Sequence, residues 1–360
     1  MKKTLSAIRG KGYKVLFSDE AYSGLGLLLK TENYSSIFIL VDNNTEIHCL
    51  PVFLKYFSDL KNVDVLTIKA GEKNKHLETC QDVWHKLSDL GADRKSLLIN
   101  VGGGVVTDLG GFVAAAFKRG IDFVNVPTTL LSMVDASTGG KTGVDLEGLK
   151  NQIGIITHPR MVVIDTHYLS TLPENEYRSG YAEMLKHGII RDKLYFQKLS
   201  EYKSSKDVDL EDYIHHSISI KNKVVNEDLH ELNLRKILNF GHTLGHAIET
   251  YCLKNPQITT LLHGEAIAIG MITEAYLATK LCALDLSVAE DIKKVFLRIF
   301  PKSNFTNEDL ISIRDLLRYD KKNSHGKVKF VLLRELGKPA IDIEVPSQNL
   351  TDAFEFYRQG

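Results

Sequence analysis

Short runs of apolar residues recur through the first half of the chain, and segments with apolar residues at helical spacing lie between them. The runs predict strands over residues 13–17, 36–41, 63–68, 96–101, 123–126 and 161–165. The clearest helical patterns between them cover residues 45–60 and 76–90. Because buried strands that alternate with helices are typical of parallel βαβ units, this half predicts a parallel sheet covered by helices.

The pattern changes after Pro173, where helical spacing becomes dominant. It predicts helices over residues 174–190, 210–226, 235–253, 264–282 and 287–300, with one late strand over residues 327–334. The predicted fold class is therefore α/β, with a Rossmann-like parallel-sheet nucleotide-binding domain over residues 1–170 and a mostly α-helical domain over residues 171–360. Since ligands bind beyond the carboxyl ends of parallel strands, we expect the active site in the cleft between the two domains.

The composition agrees with two domains of a globular protein. The chain has 360 residues, of which 43% are hydrophobic and 25% are charged. A net charge of zero gives no preference for nucleic acid, and no apolar run is long enough to span a membrane. The four cysteines include no Cys-x-x-Cys pair, and the basic start of the chain lacks an apolar signal region. We therefore expect reduced thiols and a cytoplasmic location.

Histidines and a carboxylate in the helical half indicate a metal site. His242 and His246 lie four residues apart, which places both on one face of a helix, and His263 follows. A catalytic divalent metal takes about three protein ligands and keeps one position open, and Glu183, His242 and His263 offer that set. His246 would then act as an acid or base beside the metal. The alternative is an ordinary histidine pair in the core or in solvent.

Glycines beside these histidines favour the metal site. Gly241, Gly245 and Gly264 each adjoin one of them, although glycine inside a helix costs about 1 kcal/mol relative to alanine. Close approach of a ligand or of another backbone is a good reason to keep glycine at such positions.

A second candidate site lies in the first half. Three glycines at residues 102–104 follow a strand and open a helix, so backbone N–H groups can approach a pyrophosphate there. A plain tight turn is the alternative, since the motif is not Gly-x-Gly-x-x-Gly. Asp42 ends another strand and suits the hydroxyls of an adenosine ribose, but a helix N-cap explains it nearly as well.

Hydroxyls, glycines and lysines are concentrated in the segment that follows. Such a set suggests an anion pocket, and a surface loop with solvated lysines is the alternative. Its glycines and first lysine resemble the tail of an ATP-binding P-loop, but residue 135, where that motif needs its first glycine, is aspartate. The segment includes Thr128, Thr129, Asp135, Gly139, Gly140, Lys141, Lys150 and Asn151.

The order of these blocks along the chain resembles that of one family, the 3-dehydroquinate synthases. The resemblance extends over roughly residues 36–335. The blocks are Gly102-Gly-Gly-Val-Val-Thr-Asp108, Lys118-Arg-Gly120, Val126-Pro-Thr-Thr129, Gly139-Gly-Lys-Thr142, Lys150-Asn151, Ala182-Glu-Met-Leu-Lys-His-Gly188, Asn239-Phe-Gly-His-Thr-Leu-Gly-His-Ala247 and His263-Gly-Glu-Ala266.

The resemblance implies a shikimate-pathway enzyme of aromatic amino acid biosynthesis, which converts 3-deoxy-D-arabino-heptulosonate 7-phosphate, a sugar-acid phosphate, to 3-dehydroquinate and phosphate. It also implies catalytic NAD and a divalent metal, zinc or alternatively cobalt, in a homodimer. Transient oxidation of a ring hydroxyl acidifies the neighbouring C–H, so phosphate leaves by elimination. Reduction then restores NAD⁺, and ring opening and an intramolecular aldol reaction form the product ring.

The resemblance assigns residues to each role. The metal ligands would be Glu183, His242 and His263, and the catalytic residues would be His246, Glu231, Lys141 and Asp135. The substrate contacts would be Lys141, Asn151, Lys186, Lys221, Arg235, Asn239 and Lys322 (preferred over Lys321), with Arg119 reaching the site of the neighbouring subunit. The NAD contacts would be Asp42, Asn44, Glu72, Lys75, Gly103, Gly104, Asp108, Thr128, Thr129, Lys150 and Thr171.

Two stretches depart from the family pattern. Residues 228–231 read Asp-Leu-His-Glu where the family has Asp-Glu-Arg-Glu, so the outer acids are kept and the middle pair is not. Residues 145–149 read Asp-Leu-Glu-Gly-Leu where the family has Asn-His-Pro-Leu-Gly, with the spacing between the flanking lysines kept.

Three alternative functions follow from related folds. A sugar-phosphate cyclase that uses sedoheptulose 7-phosphate or glucose 6-phosphate has a substrate without a carboxylate, whereas the retained Lys221, Arg235 and Asn239 favour an acid. A polyol or glycerol dehydrogenase would release NADH. A non-catalytic binding protein would be expected to lose metal ligands, and here every one is present.

Overall fold

The computed structural model describes residues 5–57, 63–147, 149–201, 210–255, 257–317 and 328–359. The chain forms two compact units. The first comprises Met1–Pro173 with Asp209–Asn222, and the second comprises Glu174–Val208 with Lys223–Gly360. The predicted division after residue 170 placed residues 210–222 with the second half, whereas this segment belongs to the first unit.

The first unit contains a seven-stranded sheet and a separate hairpin. Its strands are β1 (Ile8–Arg9), β2 (Lys14–Phe17), β3 (Ile37–Asp42), β4 (Val63–Ile68), β5 (Leu97–Gly102), β6 (Asp122–Pro127), β7 (Lys141–Leu146), β8 (Leu149–Ile156) and β9 (Met161–Ile164). The sheet order is β1-β2-β9-β6-β5-β3-β4, and every neighbouring pair is parallel except β1 with β2. Strands β7 and β8 pair with each other in an antiparallel hairpin, and Asp145 of β7 also makes an isolated parallel bridge with His76.

Helices account for most of the remaining structure. They are α1 (Ser18–Thr31), α2 (Asn43–His48), α3 (Leu50–Lys55), α4 (Leu77–Asp89), α5 (Gly104–Ala116), α6 (Glu174–Arg191), α7 (Lys193–Ser200), α8 (Glu211–Glu227), α9 (His242–Lys254), α10 (His263–Leu281), α11 (Leu286–Ile299), α12 (Asn307–Leu316) and α13 (Ser347–Arg358). A hairpin of β10 (Lys329–Glu335) and β11 (Lys338–Glu344) lies between α12 and α13 in the sequence. Within the described ranges, no helix is both long and apolar enough to cross a membrane.

The burial of the central strands explains why they could be predicted from the sequence. Every residue of β5 and of β9 is buried, as expected for central parallel strands that are covered on both faces. Helix α5 is almost wholly apolar and packs against β5 and β6. All six predicted strands are present, and the predicted class is confirmed: a mostly parallel sheet is followed by a mostly helical half.

Two predicted helices are wrong as single elements. The pattern over residues 45–60 is interrupted at Cys49, and a new helix starts at Leu50 with Pro51 in its first turn. Proline has no N–H to donate and its ring clashes with the preceding turn, so one helix cannot continue through it. The pattern over residues 235–253 consists of a 3₁₀ helix, Leu234–Asn239, and then α9, which begins only at His242.

Candidate active site

Helix α9 starts at a glycine with a left-handed backbone. Gly241 has φ of +80°, a conformation that residues with a Cβ rarely adopt. It separates the preceding 3₁₀ helix from α9 and makes His242 the first helical residue. His246 lies one turn later on the same face.

The other two glycines lie where backbones approach closely. A Cβ on Gly245 would lie 2.5 Å from Ile267 Cδ1 and 3.0 Å from Ile267 Cα, so α9 and α10 touch there. A Cβ on Gly264 would lie 2.3 Å from the Ser179 carbonyl oxygen, so the start of α10 lies directly on α6. Close backbone approach, one of the two reasons expected from the sequence, is the reason for these glycines.

The close packing brings three potential metal ligands together. Glu183 comes from α6, and His242 and His263 are the first residues of α9 and α10. Glu183 Oε1 lies 3.5 Å from His242 Nε2 and 3.7 Å from His263 Nε2, and the ligand atoms all lie within 4.8 Å of one another. Ligands about 2.0–2.2 Å from a tetrahedral zinc ion are about 3.5 Å apart, so the set fits such an ion.

The second nitrogen of each histidine faces an oxygen atom. His242 Nδ1 lies 3.2 Å from the Phe240 carbonyl oxygen, and His263 Nδ1 lies 3.3 Å from Glu249 Oε2. Hydrogen bonds of this kind place the ring proton on Nδ1 and leave the Nε2 lone pair for a metal. Both rings therefore present Nε2 to the proposed metal position.

Two buried glutamates at this site were missed by the sequence analysis. Glu249, 3% exposed, lies in the histidine block itself, three residues after His246, and its helical spacing was a usable signal. Glu274 is fully buried in α10, and its carboxylate accepts the N–H groups of Gly241 at 2.6 Å and Leu244 at 3.2 Å. It thus caps the N-terminus of α9, where a negative charge is favourable.

Other predicted residues of the second unit surround this cluster. The His246 ring centroid lies 5.1 Å from that of His242 and 5.9 Å from that of His263. Lys186, 1% exposed, makes an ion pair with Glu183. His246 and Lys186 are therefore neighbours of the ligand set.

The loop before α9 is organised by hydrogen bonds to Asp228. Its carboxylate accepts the backbone N–H groups of Leu232, Asn233 and Arg235 at 3.0, 2.8 and 3.0 Å. Although partial burial opposes the change, these bonds lower the pKa of Asp228.

The loop and the 3₁₀ helix that follows it hold three predicted site residues. Arg235 donates to the Leu229 carbonyl oxygen at 2.7 Å, and the Asn239 amide donates to Glu231. Since Leu229 contributes a backbone atom, its departure from the family pattern leaves this contact intact.

In the first unit, predicted cofactor residues lie at the carboxyl ends of neighbouring strands. Asp42 ends β3, Gly103 follows β5 as the N-cap of α5, and Thr128 and Thr129 follow β6. Asp42 is the N-cap of α2, accepting the N–H groups of Asn44 and Thr45 at 2.9 Å, as the alternative interpretation held. A Cβ on Gly103 would lie 2.9 Å from Thr129 Cγ2, so the close approach of Thr129 accounts for a glycine at this helix start.

The buried Lys75 lies in a polar network with four further predicted residues. Lys75 Nζ lies 2.7 Å from Asp108 Oδ2 and 2.7 Å from Asn151 Oδ1, and Lys150 Nζ lies 3.0 Å from Glu72 Oε1. Burial by itself would lower the pKa of Lys75, but Asp108 and Glu72 raise it above its ordinary value. Lys150 and Asn151 reach this network from β8, so a hairpin places them, and not the surface loop of the alternative interpretation.

The remaining predicted residues lie elsewhere in the first unit. Asp135 forms an ion pair with Lys221, in which Oδ1 lies 2.6 Å from Nζ. Lys141 is exposed at the start of β7. In the described part of the chain, neither Arg119 nor Thr171 makes a hydrogen bond or ion pair with the Lys75 network. Lys322 lies outside the described residues.

Comparisons with known proteins show the family of this chain. A family model described as 3-dehydroquinate synthase N-terminal matches residues 65–179, and one described as 3-dehydroquinate synthase C-terminal matches residues 180–323. The 3-dehydroquinate synthase of Parabacteroides distasonis is 37% identical over 352 residues, covering 96% of this chain and 98% of the relative.

Solved structures share the architecture. A 2-deoxy-scyllo-inosose synthase complexed with carbaglucose-6-phosphate, NAD⁺ and Co²⁺ has a TM-score of 0.81 and 25% identity, covering 96% of this chain and 98% of that one. A 2-epi-5-epi-valiolone synthase from Streptomyces hygroscopicus subsp. jinggangensis, with NAD⁺ and Zn²⁺ bound, has a TM-score of 0.85 and 24% identity, covering 99% of both chains. The second likeness shows the fold alone.

Proposed function

The chain belongs to the 3-dehydroquinate synthase family, and we propose that Glu183, His242 and His263 form its catalytic metal centre. It is a carbon–oxygen lyase that converts 3-deoxy-D-arabino-heptulosonate 7-phosphate to 3-dehydroquinate and phosphate. The observation that carries the proposed centre is the convergence of two Nε2 atoms on one buried carboxylate, with all ligand atoms within 4.8 Å.

The two cofactors of the proposal are NAD and a divalent metal. When bound, the metal would polarise the hydroxyl to be oxidised, and NAD⁺ would accept and later return the hydride. Two imidazoles and a carboxylate suit zinc, and cobalt accepts the same ligands. NAD would bind at the carboxyl ends of the strands, where Gly103, Asp42, Thr128 and Thr129 lie. Lys75 and Asp108 would make polar contacts with it.

The protein's own groups would handle protons and anions. His246, beside both histidine ligands, would move a proton at a substrate hydroxyl, and Glu231 would serve as a second proton-transfer group. The ammonium of Lys186 beside Glu183 would attract an anionic substrate group. The further substrate contacts, which rest on the family resemblance, are Lys141, Asn151, Lys221, Arg235, Asn239 and Lys322.

The direct test is a turnover assay with matched substrates. Purified protein with NAD⁺ and Zn²⁺ should release phosphate from the heptulosonate phosphate, but not from glucose 6-phosphate or sedoheptulose 7-phosphate. NADH absorbance should not rise, since the hydride is returned within one site. One NADH per product would instead identify a dehydrogenase, and His263→Ala with full activity would exclude the proposed centre.

We further propose a homodimer in which Arg119 acts on the active site of the neighbouring subunit. Arg119 is exposed and has φ of +71°, directly after Lys118 at +49°. Two successive non-glycine residues in this region are strained, and strain of this kind is often kept for function. The planar guanidinium suits bidentate binding of a phosphate.

Hybrid dimers test this arrangement. Arg119→Ala and His263→Ala should each be nearly inactive, although Arg119→Ala should keep its metal. After subunit exchange, half the dimers are hybrids with one complete site each, so about a quarter of wild-type activity should return. Demonstrated exchange without recovery would show that Arg119 does not act in the neighbouring subunit.

The state of the cysteines supports a cytoplasmic location, which is also part of the proposal. None of Cys49, Cys80, Cys252 and Cys282 is in a disulfide, and three of them are buried. Reduced thiols are the usual state in the cytoplasm. Subcellular fractionation of cells that express a tagged chain would test the cytoplasmic location.

A further inference from the structure

His263 lies between two carboxylates. Its Nε2 atom is 3.7 Å from Glu183 Oε1, on the side of the proposed metal, and its Nδ1 atom is 3.3 Å from Glu249 Oε2 on the other side. The Glu249 side chain is 4% exposed and the His263 side chain 20% exposed. Water therefore has little access to the Glu249 carboxylate, and its contact with the ring is well protected.

The helix geometry explains how Glu249 reaches this position. It follows His242 by seven residues and His246 by three, so all three side chains lie on one face of α9. The contact of Gly245 with Ile267 holds that face against the start of α10, where His263 is the first residue. The carboxylate is thus placed by two helices rather than by a loop.

We propose that Glu249 is a positioning residue that fixes the tautomer and the ring orientation of His263 for metal binding. This inference rests on the proposed metal centre. A neutral imidazole carries one proton, and a carboxylate at Nδ1 keeps that proton there and makes Nε2 a stronger donor. His242 differs, because its Nδ1 faces the Phe240 carbonyl oxygen and not a carboxylate in that hydrogen bond.

A different role for Glu249 is as a ligand itself. His246, Glu249 and His263 also offer three ligand atoms within 4.8 Å of one another. Two ions would then share His263 through both ring nitrogens, which requires the imidazole to lose its remaining proton. That cost favours one ion, with Glu249 as a hydrogen-bond acceptor.

The experiment compares metal affinity in three variants. Glu249→Leu removes the acceptor, Glu249→Gln removes the charge but keeps an acceptor oxygen, and Glu265→Gln is the matched control. Glu265 lies two residues after His263, but its carboxylate accepts the Leu262 N–H at 2.8 Å, a bond that glutamine can also make. Metal-stripped protein would be titrated with Zn²⁺ and Co²⁺ against a chelator, with the Co²⁺ visible spectrum recorded.

We expect a graded loss of affinity. Glu249→Leu should weaken metal binding by about 10- to 100-fold and change the Co²⁺ spectrum, as loss of such a partner usually does. Glu249→Gln should lose less, and Glu265→Gln should stay within about twofold of wild type because it does not touch a ligand. Circular dichroism of the metal-free variants would establish that they are folded.

Wild-type affinity and an unchanged spectrum in folded Glu249→Leu would overturn the inference. Two ions per wild-type chain, falling to one in this variant, would also overturn it by making Glu249 a ligand. If the leucine variant does not fold, Glu249→Gln decides, because loss of the charge alone should weaken metal binding measurably, and wild-type affinity with an unchanged spectrum would overturn the inference. Failure of the proposed centre itself is distinguishable, because His242→Ala would then bind metal as tightly as wild type.

Discussion

At the scale of single residues, the most consequential charge in the first unit is that of Lys75. It is 3% exposed, and its ammonium is held by Asp108 and Asn151 at 2.7 Å each. A buried charge is tolerated only when it is paired and hydrogen-bonded. The pair therefore couples the stability of this unit to the residues expected to contact NAD.

Replacing one partner should expose this coupling. Asp108→Ala should lower the free energy of unfolding by about 3 kcal/mol, because Lys75 would keep a buried charge with its closest partner removed. It should also weaken NAD⁺ binding. Urea denaturation without cofactor and NAD⁺ titration would measure the two effects.

The control for Asp108→Ala is the double variant Lys75→Met with Asp108→Leu. Since it removes both charges, it should recover much of the lost stability but none of the NAD⁺ affinity. An Asp108→Ala protein as stable as wild type would contradict the importance of the pair.

At the scale of elements, the contact of α9 with α10 determines the geometry of the metal cluster. Gly245→Ala would place a Cβ 2.5 Å from Ile267 Cδ1 and 3.0 Å from its Cα, and the backbone atom cannot move aside as a side chain can. The helices must separate, so we expect a loss of about 1–3 kcal/mol in stability and weaker metal binding. Thermal unfolding and chelator competition would measure both.

A second helical glycine gives the matched comparison. Among the residues that the structure describes, a Cβ on Gly26, within α1, would meet only Phe57 Cε1, at an ordinary 3.9 Å. Gly26→Ala should therefore stabilise the protein by about 0.5–1 kcal/mol through helix propensity. If both substitutions had the same sign, close packing would not be the reason for Gly245.

At the scale of the whole molecule, buried thiols should make stability sensitive to alkaline pH. Burial raises the pKa of Cys80 from 9.0 to about 12, and that of Cys49 and Cys252 from 9.0 to about 11. Burial also raises the pKa of Tyr22. In the unfolded chain these groups ionise near their ordinary values.

The sign of the effect follows from proton binding. Above pH 9 the folded state keeps protons that the unfolded state loses, so stability falls as pH rises toward the folded pKa values of about 11 and 12. Urea midpoints measured from pH 8 upward should decline, and Cys80→Ala should decline less steeply. A flat profile through pH 11 would contradict the burial of these thiols.

Local sequence determined the strands, most helices and the candidate ligands. Central parallel strands are buried on both faces, so they appear as continuous apolar runs, and β5 and β9 were readable for that reason. The set of Glu183, His242 and His263 was proposed from residue type and spacing, and the structure brings its ligand atoms within 4.8 Å. The roles assigned to individual residues by resemblance stay predictions until variants are measured.

Contacts between distant segments were decided only by the tertiary structure. Glu274 accepts the N–H of Gly241, the N-cap of α9, 33 residues earlier, and Lys75 meets Asn151 across 76 residues of sequence. No strand was predicted for the hairpin that carries Asn151, because glycines and charges obscure its alternation. Periodicity records which face of an element is apolar, whereas the partner of a buried polar group depends on how elements pack. For that reason the sequence indicated the metal ligands, and the fold alone revealed the carboxylates that orient them.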